Sequence, residues 1–217
     1  KTIMTKYNAT LYYTNDLEYD SIPFFTEKEK QLLNQLNILD IFFDKKNSKT
    51  LLPKTRRRLK RYGYTGKVAW NADISTLALA WLSMKTSKNA DNQKLANSIE
   101  NCFDEYYDLS LSEQVHTQIY DFYQSLKEIP DTCELVWFLH HAYNILYIYK
   151  KDNYVDLTYH TAEISTENIK LKGNQKFLLD WLLERLQIIA TSDSEHQREH
   201  IIKFLDVWSE VYAMFWY

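Results

Sequence analysis

Apolar residues recur every three or four positions along most of the chain, the spacing that places them on one face of an α-helix. The first stripe follows Thr26 and Glu29, whose Thr-x-x-Glu spacing forms a capping box that satisfies two backbone amides at a helix start. Six stripes have helical spacing, and each predicts a helix. Their members are Leu32, Leu36, Leu39 and Phe43; Trp70, Ile74, Leu77, Trp81 and Met84; Leu95, Ile99, Phe103 and Tyr106; Val115, Ile119, Phe122, Leu126 and Ile129; Phe177, Trp181, Leu182, Arg185 and Ile189; and Ile201, Leu205, Trp208, Tyr212 and Phe215.

Other segments have less regular patterns. Residues 131–150 are apolar on nearly all sides, which predicts a central, buried helix that starts at Pro130. A short basic helix is predicted between Pro53 and Gly63, and a looser helix over 153–172. Residues 1–22 alternate only weakly, and their conformation stays undecided.

The scarcity of turn residues indicates the fold class. The 217 residues include only three glycines and three prolines, whereas sheet-rich folds need turns every 8 to 12 residues or so. We therefore predict an all-α fold of roughly eight helices packed as antiparallel hairpins, either a compact bundle or a short helical-repeat-like stack. Residues 1–217 form a single domain in this prediction, with 1–22 as an N-terminal extension or arm.

Composition narrows the class of protein. Hydrophobic residues make up 45 % of the chain and aromatic residues 15 %, which argues against disorder. The longest apolar stretch, Leu135 to Tyr149, is shorter than the roughly 20 residues of a bilayer span and contains histidines, so no membrane span is predicted. Cys102 and Cys133 match no metal or redox spacing. They favour a cytoplasmic protein, while an exported or periplasmic one with a Cys102–Cys133 bond stays open.

The most conspicuous candidate site is a basic segment. Residues 54–67 carry seven positive charges and no acid, and the rest of the chain has 19 basic against 29 acidic residues, a net charge of −10. The candidate partner- or phosphate-binding residues are Arg56, Arg57, Arg58, Lys60, Arg61, Tyr62, Tyr64 and Lys67. Arginines bind carboxylate and phosphate well, and tyrosines stack on bases.

Three uses of this basic segment are compatible with the sequence. It binds an acidic protein partner, it binds nucleic acid, or it is a solvated helix face whose arginines pair with acids of the same chain. Glu100, Asp104 and Asp108, which step by four along a predicted helix, form an acidic stripe that suits the last of these.

Two histidine patterns resemble parts of metal sites. His196 and His200 flank Glu199 as in His-x-x-Glu-His zinc peptidases, but only 17 residues follow for a third ligand. Glu113 and His116 have the spacing of half a di-iron site, without a second half. A charged helix start explains the first pattern and a Ser110-x-x-Glu113 capping box the second, so we predict no metal and no cofactor.

His140 and His141 lie in the predicted central helix, where a buried histidine could act as a general acid or base. Core packing of both rings explains them as well. Gly66-Lys67 lacks the other residues of a phosphate-binding loop, and no Gly-x-Ser-x-Gly elbow is present.

The function predicted is therefore a non-enzymatic protein-binding module, such as an inhibitor, an adaptor or an immunity-type neutralising protein, whose partner has an acidic surface. One alternative is a nucleic-acid-binding protein that uses residues 54–67. A second alternative is a hydrolase that uses His140 and His141. No motif in the sequence identifies a family.

Overall fold

The computed structural model describes residues 25–36, 39–42, 66–107, 113–130, 133–155 and 160–215. Of the described residues, 79 % are helical, and the predicted all-α fold is confirmed. The predicted basic helix after Pro53 and the undecided residues 1–22 lie outside the described residues.

The elements follow one another with short connections. In chain order they are α1 (Glu27–Gln35), α2 (Leu39–Phe42), α3 (Gly66–Trp70), α4 (Ala72–Lys85), α5 (Ala90–Tyr107), α6 (Glu113–Ser125), a 3₁₀ turn (Leu126–Glu128), α7 (Cys133–Lys151), β1 (Thr161–Ser165), β2 (Lys170–Asn174), α8 (Gln175–Thr191), α9 (Ser194–Val211) and a C-terminal 3₁₀ turn (Tyr212–Phe215).

Helix α4 lies at the centre together with α7, the helix that the sequence predicted to be central. Every residue of α4 from Ala72 to Met84 is buried, and α4 packs against α5, α7 and the C-terminal 3₁₀ turn. Its hydroxyl side chains donate to backbone carbonyls, as Thr76 Oγ1 does to Ala72 O at 2.7 Å and Ser83 Oγ to Ala80 O at 2.8 Å. These bonds satisfy polar groups that burial would otherwise leave without partners.

The outer helices pack on this centre as sequence neighbours. Helices α5 and α6 contact each other, as do α7 and α8, and α8 and α9, while α9 also packs against α6. The C-terminal turn docks on the core, since Phe215 is buried between the rings of Tyr149 and Trp208. The aromatic stripe from Ile201 to Phe215 is buried as predicted.

One of the two predicted capping boxes is described, since Ser110 of the second lies outside the described residues. The Thr26–Glu29 capping box is confirmed, with Thr26 N donating to Glu29 Oε2 at 2.7 Å and Glu29 N to Thr26 Oγ1 at 3.2 Å. Asn174 caps α8 and Asp193 caps α9, each through its side-chain oxygen.

The looser helix predicted over 153–172 is wrong, because β1 and β2 form an antiparallel hairpin there. Residues of β1 alternate between exposed and inward positions, and Ile164, opposite Leu171, is buried against the helices. Glu163 pairs with Lys172 across the exposed face at 3.0 Å. This alternation has the period of two that a strand buried on one face requires, and it overrides the weak helical spacing.

The stripe that predicted α8 gives the helix correctly, but it is buried only in part. Leu178, Leu182 and Leu186 are buried, whereas Phe177 is 46 % exposed and Trp181 is only partly buried. Gly173 and Asn174 are the last two residues of β2. A Cβ at Gly173 would collide with the Phe177 ring, so the glycine lets that ring lie against the strand.

Candidate functional site

Most of the predicted basic site lies outside the described residues, namely Arg56, Arg57, Arg58, Lys60, Arg61, Tyr62 and Tyr64. Lys67 is described, and its side chain is exposed on α3. One helical turn further, Trp70 is 40 % exposed and meets the Tyr154 ring edge-on at a centroid distance of 5.3 Å. An exposed tryptophan, packed against a partly buried tyrosine, therefore follows directly on the basic segment.

The acidic stripe is described at one position. Glu100 on α5 forms an ion pair with Lys85 of α4, which also donates to Asn97 Oδ1 at 2.5 Å. The side chain of Asp104 and the whole of Asp108 lie outside the described residues. Glu100 thus joins α5 to α4 through a lysine that does not belong to the basic segment.

His140 and His141 are both buried in α7, with their rings 5.3 Å apart. The His141 ring packs on Trp137 at 4.6 Å and near Phe25 at 6.5 Å. Burial lowers the pKa of His140 to about 4, and burial together with His140 holds the pKa of His141 well below its usual range. Both rings are therefore neutral at pH 7.

The residues of the two metal-like patterns bind other side chains. His196 Nδ1 lies 2.9 Å from Asp193 at the start of α9, and His116 Nδ1 lies 3.0 Å from the Tyr212 hydroxyl. His200 Nδ1 lies 2.7 Å from Nη1 of Arg185. Within the described ranges, no group of three or more potential ligands is arranged to hold a metal ion.

Cys102 carries a free, buried thiol that donates to Gln118 Oε1 at 2.9 Å. Burial and the nearby Glu105 raise the pKa of this thiol to about 11, so it stays protonated. The side chain of Cys133 lies outside the described residues.

Asp73, a buried carboxyl in the first turn of α4, is not among the residues that the sequence pattern singles out. Neither carboxyl oxygen has a hydrogen-bond partner among the described residues, and burial raises the pKa of Asp73 to about 8. The group is therefore largely protonated at pH 7. A single acid in the otherwise apolar and hydroxyl-bearing stretch from Ala72 to Met84 was the signal that could have revealed it.

The outer face of α8 is the second feature that the sequence analysis missed. Phe177, Trp181 and Arg185 are spaced by four and follow one another along this face, which we call the α8 ridge. The Arg185 guanidinium lies 4.7 Å from the centre of the Trp181 ring, and its contact with His200 joins the ridge to α9. The stripe that predicted α8 is thus partly this surface.

On the other side of α8, a groove of about 560 Å³ separates it from the end of α7. Tyr143 and Tyr147 stack there with centroids 6.0 Å apart, and the Tyr143 hydroxyl accepts from Gln187 Nε2 at 2.9 Å. Lys150 and Asp180 form an ion pair at 2.5 Å across the groove. The groove has charged side chains of both signs, so its lining does not indicate one class of ligand.

Among the helices that the structure describes, none combines the length and apolar character needed to cross a membrane. Comparison of the chain with protein-family models, with curated proteins and with solved structures finds no match.

Proposed function

We propose that this protein is a non-enzymatic binding module for another protein, of the kind represented by inhibitors, adaptors and immunity-type neutralising proteins. The α8 ridge would be its contact surface. The observation that carries the proposal is the 46 % exposure of Phe177 in line with Trp181 and Arg185. Contiguous apolar surface on a soluble protein often marks a site of interaction with another protein.

The composition of the α8 ridge supports this proposal. Tryptophan and arginine are enriched among the residues that dominate the binding energy of protein interfaces, and aromatic residues are enriched across interface cores. The ridge is also rigid, because buried leucines on the opposite face of α8 fix the helix on α7 and α9. Preorganised side chains lose little conformational entropy when a partner binds, which favours affinity.

Site-specific photo-crosslinking tests the proposal. A photoreactive phenylalanine replaces Phe177 in one variant and Glu195, an exposed residue of α9, in the matched control. In cells of the native host, we expect a defined crosslinked protein from position 177, none from position 195, and loss of the product in Trp181→Ala. Equal products from both positions, or a product that survives Trp181→Ala in a folded variant, would refute a ridge-mediated contact.

A nucleic-acid-binding function is the second candidate, and the exposed Trp70 beside the basic segment favours it. Proteins that bind single strands combine a positively charged path with aromatic rings on which bases stack. Fluorescence anisotropy with a labelled oligothymidine tests this function across a range of salt concentrations. Binding should weaken steeply with salt and be lost in the triple variant of Arg56, Arg57 and Arg58 to Ala. Absence of binding at low salt would exclude this candidate.

A further inference from the structure

The α8 ridge also indicates the chemistry of its partner, an inference that rests on the proposed function. We propose that the protein partner presents a carboxylate, from an aspartate or glutamate flanked by apolar residues, which binds the guanidinium of Arg185 beside Trp181.

Arg185 is held in one position from two sides. Its guanidinium lies 4.7 Å from the centre of the Trp181 ring, and Nη1 lies 2.7 Å from Nδ1 of His200 on α9. Because a guanidinium only donates hydrogen bonds, the His200 nitrogen must be the acceptor, and this ring is neutral in the contact. An arginine fixed in this way is prepared for a ligand before the ligand arrives.

The charge of Arg185 lacks a carboxylate partner in the part of the chain that the structure describes. Its side chain is partly buried, and its Nε is fully buried without an acceptor there. Charged groups away from water are usually paired with an opposite charge. The Trp181 ring and the neutral His200 compensate the charge of Arg185 only in part.

Two nearby acids are paired with lysines. Asp180, five positions earlier on α8, pairs with Lys150 of α7 at 2.5 Å, and Glu199 of α9 pairs with Lys203. Nε is enclosed and Nη1 already donates to His200, so an acceptor from outside would bind at Nη2. Carboxylate is the anion that suits it, because a single guanidinium matches a single negative charge, whereas proteins bind phosphate groups mainly through arginine clusters.

The side chains beside Arg185 define what should flank the carboxylate. Phe177 and Trp181 expose apolar surface along the same face of α8. A partner segment with an acid between apolar residues could bind the arginine and cover both rings at once. The peptide acetyl-Leu-Glu-Leu-amide is a minimal version of such a segment, and acetyl-Leu-Gln-Leu-amide is its uncharged twin.

Nuclear magnetic resonance of the arginine Nε–Hε groups in the full chain tests the proposal. The Arg185 signal is assigned by its loss in Arg185→Lys. Arg198 is the internal control, because its guanidinium already donates to the carbonyls of Ile129 and Lys127 at 2.7 and 2.8 Å. We expect the Glu peptide to shift the Arg185 signal saturably, with a dissociation constant of about millimolar, and at least about tenfold more tightly than the Gln peptide. The Arg198 signal should stay in place.

Three results would overturn the proposal. Equal shifts with the Glu and Gln peptides would show that charge is not recognised, and equal movement of the Arg185 and Arg198 signals would indicate a non-specific ionic-strength effect. A tighter response to inorganic phosphate than to the Glu peptide would assign the site to phosphate instead.

The crosslinking experiment separates this proposal from the proposed function. In Arg185→Gln, a position-177 product of undiminished yield would mean that the ridge binds a protein without a carboxylate contact. A Glu-selective peptide response without any crosslinked protein would instead support the carboxylate site and refute the binding function. A crosslinked dimer of this chain would replace the foreign partner with a second copy.

Discussion

The ammonium of Lys127 lies 2.5 Å from Oδ1 of Asp206, which is only 1 % exposed on α9. The other oxygen, Oδ2, accepts from Asn168 Nδ2 at 3.0 Å and from Thr166 Oγ1 at 3.3 Å, both in the turn between β1 and β2. One carboxylate thus joins the 3₁₀ turn after α6, the hairpin and α9. The two-stranded hairpin is too short to be stable alone, so this anchor and the packing of Ile164 hold it on the helices.

Replacing Asp206 should therefore release the hairpin and destabilise the fold. In Asp206→Ala, the Lys127 ammonium and the turn lose their acceptor, and breaking a buried pair from one side costs about 3–5 kcal/mol. Urea unfolding measures the loss, and hydrogen exchange of the 161–174 amides reports the hairpin. The matched control is Glu163→Ala, whose pair with Lys172 is exposed on both sides and should contribute less than about 1 kcal/mol. Equal effects of the two variants would contradict the role of Asp206.

Gly173→Ala should disturb the Phe177 ring. The added methyl group would occupy the space of that ring, which has to move away from the strand. We expect a destabilisation of about 1–3 kcal/mol, as for other overpacked positions. In a Phe177→Ala background the same substitution should cost little, because the obstructing ring is absent. A double-mutant cycle measures this coupling, and strict additivity would contradict the collision.

Asp73 should make the protein less stable as pH rises between about 4 and 8. In this range the unfolded chain has lost the Asp73 proton while the folded chain keeps it, because burial raises the folded pKa from 3.8 to about 8. Stability then falls with pH by up to about 1.4 kcal/mol per unit. Asp73→Asn removes the proton and should flatten the decline above pH 6.5. Urea midpoints at pH 6.5, 7.2 and 8 measure the stability of this variant. A decline that persists in Asp73→Asn would contradict the role of Asp73.

In acid, His140 and His141 should have the opposite effect from Asp73 and make the protein less stable as the pH falls. Burial lowers both pKa values, so below about pH 6.5 the unfolded chain takes up protons that the folded chain does not. Stability contributed by the neutral rings is present above that pH and is lost as pH falls towards 4. His140→Asn should weaken this loss. Asp73→Asn should make this loss of stability steeper, because Asp73 has the opposite effect over the same pH range. If the dependence of stability on pH is unchanged in both variants, the assignment to these residues is refuted.

The sequence predicted the helices well and their orientation less well. Periodicity located α8 but not which of its faces is buried, because a helix with leucines on one side and aromatics on the other offers two apolar faces. Which face is buried depends on α7 and α9, which local spacing does not reveal. The hairpin was missed since its short strands gain their stability from Asp206, 32 residues after β2 ends.

The candidate site was less predictable than the fold. The basic segment was conspicuous because its charges are close together in the sequence. Most of its residues, however, lie outside the described residues. Arg185, Trp181 and His200 come from two helices, so their proximity depends on the tertiary packing of α8 on α9. His200 was assessed only for its spacing to His196, whereas its contact is with Arg185.

The Arg185–His200 contact should be lost in acid. Burial and the Arg185 charge lower the pKa of His200. Once protonated, however, the ring has no lone pair at Nδ1 to accept from the guanidinium and repels it instead. The contact is therefore present at neutral pH and disappears as pH falls through the folded pKa of His200, below the ordinary value of 6.5. The Nε–Hε signal of Arg185 should shift with the His200 imidazole titration. His200→Gln keeps a hydrogen-bond acceptor without a proton to gain, so its Arg185 signal should stay constant between pH 7.5 and 4.5. If the Arg185 signal still moves in this variant as in the unmodified protein, another titrating group controls Arg185.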